Sequence, residues 1–148
     1  PTCVVVGVEL SWVALCVALQ NVLRHGQSGR VHLVQGRWTE PVRGLFDGVI
    51  ANPPYVPSAQ IDHMPLDVRQ EPRMSLDGGG DGMQCLGEVL GGASQILAPD
   101  GCLVLECGEE QAPALVRAAR GAAWVRAAHL LQDLAGRARG VLIVRASP

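Results

Sequence analysis

The chain predicts an α/β fold, with a mostly parallel sheet, helices on both of its faces and a closing antiparallel hairpin. Three observations carry this expectation. β-Branched runs alternate with stretches whose apolar residues recur at helical spacing. The apolar run over residues 46–51 stops abruptly at Asn52-Pro53-Pro54-Tyr55, as a buried strand does at its carboxyl end. Two runs near the end of the chain, 124–131 and 140–145, are spaced to pair back on one another.

Residues 3–8, Cys-Val-Val-Val-Gly-Val, form the first strand, which ends at Glu9. Ser11 is a good helix cap, and Val13, Leu15, Cys16, Leu19 and Val22 mark the apolar stripe of the helix that follows. That helix is expected to stop near His25-Gly26, where glycine takes the left-handed cap, before a short strand over 31–35. After the 46–51 strand, prolines and glycines over 53–81 interrupt every regular pattern, most densely at Asp77-Gly78-Gly79-Gly80-Asp81-Gly82. This region reads as a long ordered loop, and long loops in compact domains usually serve function. A helix is expected over 83–97, ending before Pro99-Asp100-Gly101, then a second buried strand over 102–107 and a helix over 109–120. No internal repeat is present.

At 148 residues the chain is of single-domain length, and its 48% hydrophobic content suits a globular core. No apolar stretch approaches the ~20 residues that span a bilayer, and residues 1–20 lack the charged start and small-residue cleavage site of a signal peptide. The expected location is therefore the cytoplasm. All twelve basic residues are arginine, against fourteen acids, for a net charge of −2 and no long basic run, so tight nucleic-acid binding is not expected. Arginine-only usage with abundant Ala, Gly and Val fits a GC-rich coding sequence. The five cysteines, Cys3, Cys16, Cys85, Cys102 and Cys107, are scattered through apolar runs and read as reduced core thiols. The four histidines, His25, His32, His63 and His129, show no metal spacing and read as surface or capping residues.

The Asn52-Pro53-Pro54-Tyr55 turn carries the most chemistry. Ligands of open α/β sheets bind at the carboxyl ends of strands. Two consecutive prolines remove two backbone donors and hold the chain extended, so the Asn52 side chain and nearby carbonyls present acceptors that no local structure consumes. Such a turn suits a planar NH2 group. The plainer alternative is an ordinary strand-to-loop turn, since Asn-Pro commonly initiates one. A nucleotide-type α/β domain is also expected to open with a Gly-rich strand-to-helix turn, whereas here Gly7 stands alone.

Taken in order, the segments 5–15, Gln35-Gly36-Arg37-Trp38, Asn52-Pro53-Pro54-Tyr55-Val56-Pro57, Asp67-Val68-Arg69-Gln70-Glu71-Pro72, 76–82, 105–111 and Asp133-Leu134-Ala135-Gly136-Arg137 resemble the catalytic domain of protein-(glutamine-N5) methyltransferases. These are the HemK/PrmC-like enzymes that modify peptide chain release factors. The resemblance covers essentially the whole chain. It implies a class I S-adenosylmethionine-dependent, Rossmann-like fold, with residues 1–148 as one truncated catalytic domain that uses S-adenosyl-L-methionine as cofactor.

The same resemblance assigns roles. Glu9 takes the place of the acid that accepts from the two ribose hydroxyls, against the alternative of a solvated acid at a strand end. Gln35-Gly36-Arg37-Trp38 matches the adenine-contacting turn: Trp38 is expected to pack on the adenine face, or else to be a partly buried core aromatic. Arg37 departs from the acid usual there and cannot accept from the adenine amino group. Asn52 and Pro53 are implied to accept hydrogen bonds from a glutamine NH2 through the Asn52 amide oxygen and the Pro53 carbonyl, with Pro54 and Tyr55 flanking the substrate. Tyr55 is implied to pack on the flat amide; its alternative is a loop-anchoring aromatic. An amide nitrogen is a poor nucleophile because its lone pair is delocalised, so catalysis rests on alignment, which can supply ~7–11 kcal/mol of a barrier. No nucleophile–base pair and no metal are implied. Glu71, Asp77 and Asp81 receive no individual role, while Glu106 and the 133–137 segment are expected to serve structure.

The family's Gly-rich first motif, with its strand and helix, and its N-terminal helical domain have no counterpart in the sequence. The first strand of this fold lies between the second and fourth. Two edges are then left to be paired by a part residing elsewhere, or the second and fourth strands meet in a rearranged sheet. Three readings follow: a glutamine-N5 methyltransferase acting on a protein, release factor first; a nucleic-acid amino-methyltransferase acting on adenine N6, cytosine N4 or guanine N2; and an inactive truncated scaffold. The missing basic surface and the 71–82 loop weigh against the second.

Overall fold

The computed structural model describes residues 3–147, and the chain divides into two compact units, Pro1–Arg43 and Gly44–Pro148. The strands form two sheets, one in each unit.

In the first unit, strand β1 (Val5–Glu9) runs parallel to β2 (Val31–Gln35), in register from Val5 opposite Val31 to Glu9 opposite Gln35. Parallel neighbours need a crossover, and helix α1 (Trp12–Arg24) provides it. Ser11 holds extended backbone and its hydroxyl accepts from the Ala14 N–H at 3.4 Å, so the capping residue read from the sequence does cap the helix. His25 forms the other cap and Gly26 follows at φ 63°. Gly7 has a packing reason: a Cβ there would lie 2.9 Å from the Leu33 side chain.

The second unit holds a four-stranded sheet in the order β3-β4-β6-β5, built from β3 (Phe46–Ala51), β4 (Leu97–Glu106), β5 (Val125–Gln132) and β6 (Ala138–Arg145). β3 and β4 are parallel, whereas β6 pairs antiparallel with both β4 and β5, which gives the expected closing hairpin. Helix α3 (Gln84–Ile96) packs on β3 and β4, and helix α4 (Ala112–Arg120) packs on β5 and β6. Their buried residues, Leu86, Val89, Ala93 and Leu115 among them, recur at helical spacing. They meet the sheet face of Leu103, Leu105, Val141 and Ile143, each fully buried. The alternate residues Val104 and Leu142 are half-buried and Ile50 is 85% exposed, so the helices of this unit cover one face and leave the other open.

Two boundaries differ from expectation. Pro99-Asp100-Gly101 is not a break between helix and strand but an irregularity within β4: Phe46 pairs with Leu97, Gly48 with Cys102, and the residues between are accommodated with Asp100 at φ 61°. Gly101 is needed there because a Cβ would lie 2.8 Å from the Ala98 carbonyl. The 53–81 loop carries 3-10 turns over Ser58–His63 and Arg73–Ser75 and a single helical turn, α2 (Leu66–Arg69). Val56, Ile61 and Leu76, with Met64 and Val68 against them, give this loop a small core of its own. Of the five cysteines only Cys85 and Cys107 are buried, while Cys16 and Cys102 are half-buried and Cys3 is exposed, so the reading of five core thiols holds for two. All four histidines are exposed. No described helix is long and apolar enough to cross a membrane, and no group of three or more His, Cys, Asp or Glu among the described residues is arranged to hold a metal ion.

Candidate functional site

The predicted site residues fall in two sets, one in each unit. In the first unit they gather at the carboxyl ends of the parallel β1–β2 pair, where α/β sheets present their ligands. The Gly36 N–H donates to the Glu9 carbonyl at 3.0 Å and the Gln35 amide donates to the Leu10 carbonyl at 3.2 Å, so the turn after β2 is tied to the end of β1. The Glu9 carboxylate is half-buried and accepts from the Ser11 N–H at 2.7 Å. That bond fixes the carboxylate, and one N–H uses only one of its roughly four acceptor positions.

Gly36 lies so close to Pro41 that a Cβ would come within 2.6 Å of its ring, and Trp38 sits at φ 49°. A side chain in left-handed backbone costs ~1–2 kcal/mol. The turn therefore holds an indole in a conformation that a free chain would leave. The Arg37 guanidinium lies 5.8 Å from the centre of that indole, within cation–π range. A fixed carboxylate and an aromatic face at one strand-end fit the chemistry of a nucleoside, with a diol to accept from and a base to stack.

In the second unit, Asn52 follows β3 and is exposed, Pro53 is buried, and Pro54 and Tyr55 are half-buried. Asn52 borders an open hollow of about 190 Å³, shared with Ile50, Val104, Glu106, Leu131 and Arg139. The backbone behind it is clamped. Val56 N–H donates to the Leu76 carbonyl and Gly78 N–H donates to the Val56 carbonyl, each at 2.9 Å. The Gln111 side-chain NH2 donates to the Tyr55 carbonyl at 2.8 Å, while its oxygen accepts from the Gly108 N–H at 2.9 Å. The Tyr55 hydroxyl donates to Glu106 Oε1 at 3.1 Å. Burial, and then the charge of Glu106 and its hydrogen bond, push the Tyr55 phenol above its ordinary range. Burial likewise pushes the neighbouring Cys107 thiol up to about 11.

The glycine run has a geometric reason. A Cβ on Gly82, at φ 75°, would stand 2.2 Å from the Tyr55 carbonyl and 2.3 Å from Gln111 Nε2, and one on Gly78 would stand 2.7 Å from Tyr55 Cα. Only bare backbone fits against the Asn-Pro-Pro-Tyr turn. Asp77 fixes the far side of the loop: it accepts from the Ser58 hydroxyl and the Gly79 N–H and pairs with Arg73 at 3.1 Å, bonds that hold its carboxyl below the usual carboxylate range.

The sequence singled out Asn52, Pro53, Pro54 and Tyr55, gave Gln111 no role and assigned Glu106 only to structure. A signal existed for both, because the 105–111 segment contains them, yet nothing local ties residues 106 and 111 to residue 55. The fold does so by laying β4 beside β3, with Leu105 opposite Ala51.

No family model matches the chain. Among curated proteins it is 42% identical over 146 residues to the release factor glutamine methyltransferase of Moorella thermoacetica, covering 98% of this chain and 52% of that protein. It is 38% identical over 137 residues to the release factor glutamine methyltransferase of Bradyrhizobium diazoefficiens, covering 92% and 46%. It is also 39% identical over 112 residues to the ribosomal protein uL3 glutamine methyltransferase of Bordetella pertussis, covering 75% and 38%. The chain spans about half the length or less of these relatives. Among solved structures it resembles a methyltransferase from Pyrococcus furiosus, with a TM-score of 0.72 at 20% identity over 99% of this chain and 64% of that one. It also resembles an O-methyltransferase from Bacillus cereus in complex with SAH, with a TM-score of 0.62 at 12% identity over 96% and 62%. The fold is that of the class I methyltransferases.

Proposed function

We propose that this chain, which belongs by sequence to the glutamine methyltransferase family, carries the amide-binding and adenosine-binding parts of a transfer of a methyl group from S-adenosylmethionine to the side-chain amide nitrogen of a protein glutamine. The observation that carries the reading is the clamp behind residues 52–55, which leaves the exposed Asn52 at the rim of the hollow while its neighbours cannot shift. An acceptor pair made of the Asn52 amide oxygen and the Pro53 carbonyl suits the two N–H bonds of a carboxamide. Holding both aims the remaining lone pair, and alignment is the main help an unreactive amide nitrogen can receive. Tyr55, and Pro54 beside it, offer the flat surface on which the amide lies.

Glu9 would accept from the ribose hydroxyls of S-adenosylmethionine and Trp38 would lie on its adenine, with Arg37 orienting the indole rather than hydrogen-bonding the base. The cofactor, when bound, supplies a methyl on a cationic sulfur, so the reaction is a direct displacement that asks no nucleophilic side chain of the protein. The charged amide product is acidic and sheds its proton to solvent. We assign a protein substrate of the translation apparatus, peptide chain release factor first and ribosomal protein uL3 second, met in the cytoplasm. The acid excess and the glycine loop packed on Tyr55 favour this over a nucleic-acid amino group.

Incorporation of labelled methyl into release factor, into its Gln→Ala variant at the glycine-glycine-glutamine motif, into uL3 and into duplex DNA tests the assignment. Label on release factor or uL3 that disappears when the acceptor glutamine is replaced is the expected result. Label that persists on the Ala variant, or appears on DNA alone, overturns it.

A further inference from the structure

Tyr55 is held at both ends, its carbonyl by Gln111 and its hydroxyl by Glu106. Glu106 is the last residue of β4, directly after Leu105, whose register partner across the parallel ladder is Ala51. It therefore emerges beside Asn52, and both border the same open hollow. Glu106 is half-buried, and its carboxylate could have been left to solvent or to backbone N–H groups. Here its Oε1 accepts instead from the hydroxyl of the chain's only tyrosine, the residue that the proposed function sets against the substrate amide.

Building on the function proposed above, we infer that Glu106 is a positioning residue: it holds the Tyr55 ring at the mouth of the amide cradle, so that a substrate glutamine meets a fixed surface rather than a rotating one. A phenol bonded to a carboxylate loses the freedom to swing about its χ1 and χ2 angles. Gln111 cannot perform this task, because it fixes the backbone and leaves the ring free to turn.

Because the chain has one tyrosine, absorbance at 295 nm titrates Tyr55 directly in the full chain, whether or not methyl transfer is measured. The groups that bear on it are Glu106, Cys107 and Arg139, with burial acting in the same direction as the two acids. Glu106→Gln removes the negative charge and keeps an acceptor, so the phenol is expected to ionise at lower pH than in the parent. An unchanged titration overturns the inference. In the methylation assay, Glu106→Ala and Tyr55→Phe are each expected to lower kcat about tenfold, with the KM for S-adenosylmethionine unmoved, and the double variant to be no worse than either single one. Glu106→Gln is expected to recover most of the loss. Losses that multiply in the double variant overturn the inference, as does a defect confined to cofactor KM. A parent chain that fails to methylate glutamine under any condition counts against the proposed function, while the titration still decides whether Glu106 holds the ring.

Discussion

Replacing Gly82 by alanine is the sharpest test of the clamp. The new Cβ would sit 2.2 Å from the Tyr55 carbonyl oxygen and 2.3 Å from Gln111 Nε2, well inside contact distance, at a backbone φ of 75°. Neither neighbour can retreat without loss, since the two are hydrogen-bonded to each other at 2.8 Å. Left-handed backbone costs a Cβ-bearing residue ~1–2 kcal/mol, and each of one or two displaced hydrogen bonds adds ~1 kcal/mol, for about 2–4 kcal/mol in all. That is a large share of the roughly 5–15 kcal/mol that holds a typical domain folded. Urea unfolding followed by far-UV circular dichroism reads it: with a slope near 2 kcal/mol per molar, the midpoint is expected to fall by about 1–2 M. Gly80→Ala is the comparison, because no heavy atom lies within 4 Å of its Cβ. Should Gly82→Ala shift the midpoint no more than Gly80→Ala does, the close approach of the glycine run to Tyr55 is not what stabilises the turn.

Three further outcomes follow from the same structure. Gly87, inside α3 and open to solvent, has no atom within 4 Å of a built Cβ, so Gly87→Ala is expected to stabilise the chain by ~0.8–1 kcal/mol, seen as a higher urea midpoint; a lower one contradicts the helix assignment. Asn52 is exposed at the rim of the hollow, so Asn52→Ala is expected to abolish methyl transfer while leaving the urea midpoint within about 0.5 kcal/mol of the parent, and a variant with retained activity removes Asn52 from the cradle. Asp77 titrates below its ordinary value of 3.8 when folded, so its contribution to stability is present above that pH and is lost as pH falls through the lower, folded value. The acid limb of a stability-against-pH curve is therefore expected to flatten in Asp77→Asn, and superimposable curves for parent and variant speak against the Ser58, Gly79 and Arg73 bonds.

The local elements were legible in the sequence because each depends on neighbours along the chain. Ser11 caps α1, the apolar runs of 46–51 and 102–107 lie in strands but for Cys107 just past β4, and two adjacent prolines end β3 whatever surrounds them. Pro99-Asp100-Gly101 misled for the same reason: its local preference is a turn, but pairing of Leu97 with Phe46 on one side and Cys102 with Gly48 on the other absorbs that turn into β4. The loop over 53–81 hid its helical turns because proline and glycine mask periodicity, and only the meeting of Val56, Ile61 and Leu76 gives those turns something to pack on.

By itself the sequence determined where the stiff turn lies and which acceptors it carries, since an Asn-Pro-Pro-Tyr turn at a strand end has its acceptors and its rigidity built into the covalent chain. What only the tertiary structure decided is how that turn is held. Glu106, Gln111 and Gly82 stand 51, 56 and 27 positions from Tyr55 along the chain, and no local preference relates them. They meet because parallel pairing of β3 with β4 brings two strand ends together, and because a bare glycine backbone can approach a carbonyl more closely than any side chain allows.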